Sequence, residues 1–430
     1  MEKQINRDIY LQRLINKREN GAIKIVTGLR RCGKSYLLFN LYYNYLLSTG
    51  VDEQHIVKLA LDNDRNAALR NPDNLSQYLY DRVPDNGEMY FVLLDEVQFA
   101  ISDGELRSGA PLRIYGILNG LLQQGNVDIY ITGSNSRFLS SDVATEFRGR
   151  GDEVHVNPLS FAEFLSAYQG GDRYDAWDEY TTYGGMPRLL SIDDDRDKAQ
   201  YLIDLFNHTY VRDIAERNKL RADIILDNII DVLASSVGSL NNPTKIAATF
   251  KSHGIETTDK TITAYIGYLQ DAFLVSKAQR YDIKGRKYIN SPYKYYFTDV
   301  GLRNARLNFR QQEPTHLMEN VVYNELVARG FNVDVGIVES RRTTDGKQTT
   351  AQLEVDFVCN QGNKRYYIQS AYSVPTAEKM QQEQASLDCI GDSFKKIIVT
   401  QDRAKPWRTD KGYLVLNIFD FLLDLDSLDI

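Results

Sequence analysis

The chain predicts an α/β fold built on a parallel sheet, and three observations carry that expectation. Strand-like and helix-like segments alternate through the first third. The strand-like segments are continuous apolar runs, as in strands covered on both faces. A glycine-rich turn, from Gly28 to Ser35, joins the first strand to a helix. In order, residues 5–18 read as an amphipathic helix and 22–27 as a short strand ended by glycine. Residues 34–47 place Leu37, Leu38, Leu41, Tyr45 and Leu46 at near-helical spacing. Then follow a strand at 55–61, a short helix at 75–82, and an apolar strand at 90–94 running into Asp95. A helix at 112–123 and a strand at 127–132 complete this part.

From Ser160 to Ala234 the pattern turns helical, interrupted by the tight turn Gly184-Gly185-Met186-Pro187. Residues 225–305 read as three short helices and a hairpin. Helices at 245–252 and 257–269 flank His253-Gly254, and strands at 274–280 and 293–297 flank a basic tip of Lys284, Gly285, Arg286 and Lys287. That is a winged-helix pattern. The remainder reads as a helix (317–329), strands (331–338, 353–359, 365–371), a helix (376–389) and a strand (395–400). The polar stretches 101–110 and 340–350 are the expected flexible places. There is no internal repeat or low-complexity tract.

Composition excludes several classes. The 430 residues suggest about three domains. With 43% hydrophobic and 25% charged residues, the chain can bury ordinary cores. No run approaches the roughly 18 consecutive apolar residues of a membrane helix. The polar N-terminus lacks the apolar core of a signal peptide. Cys32, Cys359 and Cys389 are too scattered for a disulfide framework or a zinc site, so a cytoplasmic location is expected. The net charge is −7. Residues 151–240 carry 8 basic and 17 acidic side chains, whereas 241–310 carry 12 basic and 5 acidic. The basic island reads either as a nucleic-acid footprint or as a solvated face balanced by the acidic segment before it.

The strongest motif is Gly28-Leu29-Arg30-Arg31-Cys32-Gly33-Lys34-Ser35, a phosphate-binding loop. Its glycines let backbone N–H groups, including those of Arg31, Cys32 and Tyr36, curl towards phosphate, and the helix N-terminus adds a favourable dipole. Lys34 is expected to reach the β- and γ-phosphates of ATP, and Ser35 to offer its hydroxyl to Mg²⁺. The partner motif is the apolar strand ending at Asp95-Glu96. Asp95 would hold the Mg²⁺ shell, and Glu96 would activate the attacking water. A third strand ends in Thr132-Gly133-Ser134-Asn135, where Asn135 is the candidate contact to the γ-phosphate or the water. A polar strand-end turn is the plainer reading of that stretch.

At this point the chain resembles the AAA-type ATPases of bacteria and archaea that carry a C-terminal domain of unknown function. The residues that carry the resemblance are the two motifs, Asp95-Glu96-Val97-Gln98, Thr132-Gly133-Ser134-Asn135-Ser136 and Gly149-Arg150. Pro158-Leu159-Ser160-Phe161-Ala162-Glu163-Phe164, Tyr183 to Pro187, Tyr210 to Ile214 and Tyr296 to Leu302 fit as well. The resemblance implies an AAA-like P-loop core (1–158), a helical lid (159–224), a winged helix (225–310) and a domain similar to the PD-(D/E)xK nuclease fold (311–430). In such ATPases an arginine beyond the third strand reaches the γ-phosphate, commonly from a neighbouring subunit. Arg148 and Arg150 stand at that place, and Arg212 is a weaker candidate for a second sensor. In the nuclease-like domain, Glu319 and Asp356 fit two metal-binding positions. Gln369 and Ala371 replace the third carboxylate and the lysine, so cleavage of nucleic acid is not expected.

Three readings stay open on the sequence. The protein is an ATP-driven switch on double-stranded DNA, with the winged helix as reader and Lys284, Arg286 and Lys287 on phosphates. It is an ATP-dependent nuclease. Or it is a nucleotide-gated protein scaffold in which the winged helix only packs. A homo-oligomer is expected where the arginine acts in trans, and no membrane partner is expected.

Overall fold

The computed structural model describes residues 5–102, 104–105, 112–133, 151–220, 224–344 and 347–430. Asn135, Arg148 and Arg150 lie outside the described residues, as does much of 101–110. The chain forms two compact units. One comprises Met1–Pro158 with Asp271–Phe273, and the other comprises Leu159–Gln270 with Leu274–Ile430.

The first unit is built on five parallel strands: β1 (Ile23–Thr27), β2 (Ile56–Ala60), β3 (Tyr90–Asp95), β4 (Val127–Thr132) and β5 (Gly151–His155). Their order is β2-β3-β4-β1-β5. One core gathers Ile23, Ile25, Val92, Leu94, Ile129 and Ile131 from the strands, with Leu75, Leu79, Leu118 and Leu121 from helices. The alternate strand positions hold a buried polar network. Lys24 pairs with Asp128, and the Tyr130 hydroxyl donates to Asp128 Oδ2 at 2.8 Å. The polar residues inside β1 and β4 are thus paired with one another, as burial of charge requires. Strand β5 has a single fully buried residue, Val154, which is why its hydropathy does not announce it.

The second unit opens with helices at Phe161–Ala167 and Arg173–Tyr183. Ser160 and Glu163 form a capping box on the first of these. Helices at Asp195–Asp204 and Arg212–Arg217 follow, and then those at Ile224–Ser235, Pro243–Ser252 and Asp259–Asp271. The remaining strands are β6 (Leu240–Asn241), β7 (Val275–Asp282), β8 (Lys287–Phe297), β9 (Asn332–Thr344), β10 (Lys347–Gln361), β11 (Lys364–Ala371), β12 (Lys395–Thr400), β13 (Trp407–Arg408) and β14 (Leu414–Asn417). They form one nine-stranded sheet in the order β13-β14-β12-β11-β10-β9-β7-β8-β6. The hairpin β7–β8 therefore does not stand apart from the strands after residue 310. Parallel pairing of Arg280, Tyr281 and Asp282 with Val335, Gly336 and Ile337 joins the two.

Two of the sequence phrases meet in a buried knot. Asp299 accepts hydrogen bonds from Gly185 N at 2.7 Å and Leu302 N at 2.9 Å. A Cβ at Gly301 would stand 1.8 Å from Tyr183 O, so only glycine fits there. Burial pushes the Asp299 carboxyl up to about 6, although the backbone N–H groups pull the other way.

Candidate nucleotide site

The site sits where β1 ends. The backbone takes positive φ at Gly28 (136°), Arg31 (66°) and Gly33 (103°), which curls the loop. A Cβ at Gly28 would lie 2.1 Å from Val156 O, so that approach excludes any side chain. Gly33 caps the helix that starts at Lys34. Lys34 is buried, and its ammonium donates to Gly28 O at 3.0 Å and Leu29 O at 2.9 Å. The loop is thus wrapped around its own lysine. Cys32 is also buried, with its thiol 3.3 Å from Val156 O. Arg31 and Ser35 are exposed, and Tyr36 is half-buried.

Asp95 ends β3, and β4 lies directly beside it. That neighbour supplies Thr132, whose hydroxyl donates to Asp95 Oδ1. The Ser35 side chain also hydrogen-bonds to Asp95, so the phosphate loop and β3 meet. The Glu96 N–H donates to Thr132 Oγ1 at 3.0 Å. One hydroxyl therefore fixes both acidic residues. Glu96 is held at a positive φ of 54°, and the Gln98 amide donates to its carboxylate. Burial raises the Asp95 carboxyl above its ordinary range, and the Thr132 and Ser35 hydrogen bonds oppose that.

Sequence reasoning missed three supports. The first is Arg7, buried, which donates to Cys32 O at 3.0 Å and Asn157 O at 2.6 Å. It clamps the loop from the N-terminal segment, and no motif signalled it. The second is Thr132 itself: the sequence placed the weight of that strand end on Asn135. The third is His155, 3.0 Å from Thr27 Oγ1, which also donates to Glu153 at 2.6 Å. Burial and the charge of Lys34 bring the His155 imidazole down to about 4.

In the second unit, Arg212 pairs with Glu216 at 2.7 Å on its own helix, with 70% of its side chain exposed. Glu319 and Asp356 come together, with Gln369 Oε1 3.5 Å from Asp356 N. Ala371 is packed in an apolar cluster with Leu387 and Ile398. Sequence reasoning named no cation beside these carboxylates, and the structure supplies one: Lys294 of β8 donates to Glu319. It was missed because it precedes both carboxylates by a wide margin in sequence.

The glycine cradle, the Ser35 hydroxyl and the Asp95 carboxylate fit a magnesium nucleotide, since Mg²⁺ takes hard oxygen donors. Sheet, loop and paired carboxylates together define a P-loop, AAA-type ATPase-like fold. A model of an AAA domain matches residues 20–165, and one of a domain of unknown function (DUF8612) matches 174–313. An uncharacterized protein of Haemophilus influenzae is 33% identical over 423 residues, covering 97% of this chain and 98% of the relative. The chain belongs to the family of that protein. An uncharacterized protein of Methanocaldococcus jannaschii is 25% identical, covering 97% of this chain and 88% of the relative. The Walker-type ATPase paby2304 of Pyrococcus abyssi has a similar structure over 71% of this chain and 96% of its own, at 15% identity and a TM-score of 0.49.

Proposed function

We propose that the protein hydrolyses ATP slowly with Mg²⁺ and uses the nucleotide state to gate association with double-stranded DNA. The carrying observation is the joint between Ser35, Asp95, Thr132 and Glu96. In this reading Lys34 leaves the loop carbonyls for the phosphates, and the Gly28–Gly33 backbone cradles them. Ser35 and Asp95 would hold Mg²⁺, which supplies charge neutralisation on the phosphoryl oxygens. Glu96 accepts a proton from the attacking water, and its backbone, fixed through Thr132, keeps it in register with Asp95. Asn135 would contact the γ-phosphate, and Arg150 would stabilise the transferring group from a second copy of the chain. Mixing Arg150→Ala with a Lys34→Ala chain tests this: recovered turnover supports action in trans.

DNA association rests on the helix Asp259–Asp271, whose buried side is Ile262, Ile266 and Leu269. That leaves Lys260, Thr263 and Ala264 exposed. Arg286 and Lys287 at the hairpin tip would contact phosphates. One observation favours the scaffold reading instead: Lys284 is spent on Glu339 O, at 3.1 Å. A salt titration of duplex binding, with and without ATP, separates the two. Affinity that falls steeply with salt supports the DNA reading. No duplex binding at low salt in either nucleotide state leaves the scaffold. Among the described residues no helix is long and apolar enough to cross a membrane.

A further inference from the structure

The densest buried charge outside the nucleotide site lies in the second unit. Lys294 of β8 sends its ammonium among three carboxylates. It donates to Glu319 Oε1 at 2.8 Å, pairs with Glu354 Oε1 at 2.7 Å, and lies 3.7 Å from Asp356 Oδ1. Lys294, Glu319 and Asp356 are buried, and Glu354 is half-buried. The surroundings hold these groups in place. The Tyr296 hydroxyl donates to Glu319 Oε1 at 2.7 Å, and Ser370 N donates to Asp356 Oδ2 at 2.9 Å. A Cβ at Gly238 would stand 3.2 Å from the Glu319 carboxylate, so a glycine closes one side.

We propose that Lys294 is the resident cation of this carboxylate seat, standing where a divalent ion would otherwise neutralise Glu319, Glu354 and Asp356. The unit therefore takes no catalytic metal there and does not cut nucleic acid. Three arguments support this. An ammonium carries three N–H donors, and three carboxylates face it. The two short separations are N–H···O lengths, whereas Mg²⁺ draws its oxygens in to about 2.1 Å. Burial pulls the Lys294 ammonium down, but Glu319, Asp356 and Glu354 outweigh burial and raise it, so it stays charged. With charge supplied by β8, position 371 is left to packing, as its apolar neighbours show.

The experiment uses the full chain carrying Asp95→Asn, which silences metal binding at the nucleotide site. Free Mn²⁺ is counted by electron paramagnetic resonance during a MnCl₂ titration. In this parent, adding Asp356→Asn should change nothing. Lys294→Met should gain one Mn²⁺ per chain, bound at least about tenfold more tightly than in the parent, and Mn²⁺ should raise its melting temperature. Both gains should vanish in Lys294→Met/Asp356→Asn. Mn²⁺ bound by the parent and lost with Asp356→Asn would overturn the proposal. So would a folded Lys294→Met that takes no Mn²⁺, or Mn²⁺-dependent DNA cleavage that Asp356→Asn abolishes. If Lys294→Met does not fold, the parent titration decides alone, because it asks directly whether the seat is already filled.

Discussion

Asp95 and Asp356 are both buried carboxylates at the end or middle of a strand, and the two are answered differently. Asp95 is met by neutral hydroxyls, from Thr132 and Ser35, while the nearby lysine of the loop is turned onto backbone carbonyls. Asp356 shares its surroundings with two further carboxylates and an ammonium. Hydroxyls orient a carboxylate without cancelling its charge, so Asp95 keeps its attraction for a divalent cation. An ammonium offsets one of the three charges and fills the space between the carboxylates, so the second cluster attracts a divalent cation less. The two are buried to a similar depth, so it is their partners that set them apart.

The largest expected effects test that contrast at its poles. Lys34→Ala should weaken ATP binding about 100-fold or more, read with a fluorescent nucleotide, because the loop loses its only buried cation for phosphate. Asp95→Asn should cut turnover by a similar factor, whereas Asp356→Asn should leave turnover within about twofold. Equal losses in the two Asn variants would break the comparison. Glu96→Gln should bind ATP and fail to turn over, and hydrolysis equal to wild type would remove Glu96 from its role.

Next in size is stability. Lys294→Ala strips the ammonium from three carboxylates and should cost about 3–5 kcal/mol by urea denaturation, the range for breaking a buried ion pair. A loss under about 1 kcal/mol would mean the cluster is solvated, as surface pairs are. Thr132→Val keeps the shape and removes the hydroxyl. Turnover should fall about tenfold, the effect of losing a group that positions a proton acceptor, with ATP affinity little changed.

A smaller effect is visible in pH. The Asp299 carboxyl is raised from 3.8 to about 6, so the folded state holds its proton over that window. Its stabilising contribution is full below 3.8 and is lost as pH rises through 6. His155 has the opposite sign. Lowered from 6.5 to about 4, its contribution is present above 6.5 and is lost as pH falls through 4. Melting curves at pH 4 to 7 should therefore show Asp299→Asn gaining on wild type as pH rises, and His155→Asn gaining as pH falls. Parallel curves would discount both. The smallest effect is Arg212→Ala, which should leave the melting temperature unchanged, because its ion pair with Glu216 is exposed.

The phosphate loop was legible because its chemistry depends on residues contiguous in sequence: glycines for positive φ, then Lys34 and Ser35. Asp95 and Glu96 were legible because an apolar run leads straight into them. Most strands and helices followed from apolar periodicity; β5 did not, having little to bury, and neither did β6, β13 and β14, which are two to four residues long. Arg7 and Lys294 were invisible for a different reason. Each bonds to groups far along the chain, Arg7 to Asn157 O and Lys294 to Glu319 and Glu354, so no local pattern marks them. Thr132 lay inside a recognised phrase, but which of its polar residues meets Asp95 depends on β4 lying beside β3.

The pairing of β7 with β9 has a consequence for how this protein can be divided or inherited. A fragment ending at residue 310 would open β7 as a bare edge ready to pair with other chains. It would also leave Lys294 without any of its three counter-charges. The helices and hairpin at 225–310 are therefore no exchangeable cassette, however much their sequence pattern reads as one. Any recombination that shuffles them must carry the following strands along, and a fragment that keeps the buried contacts should span the whole second unit, since Asp299 is held by Gly185 and Arg329 by Phe421 O and Ser427.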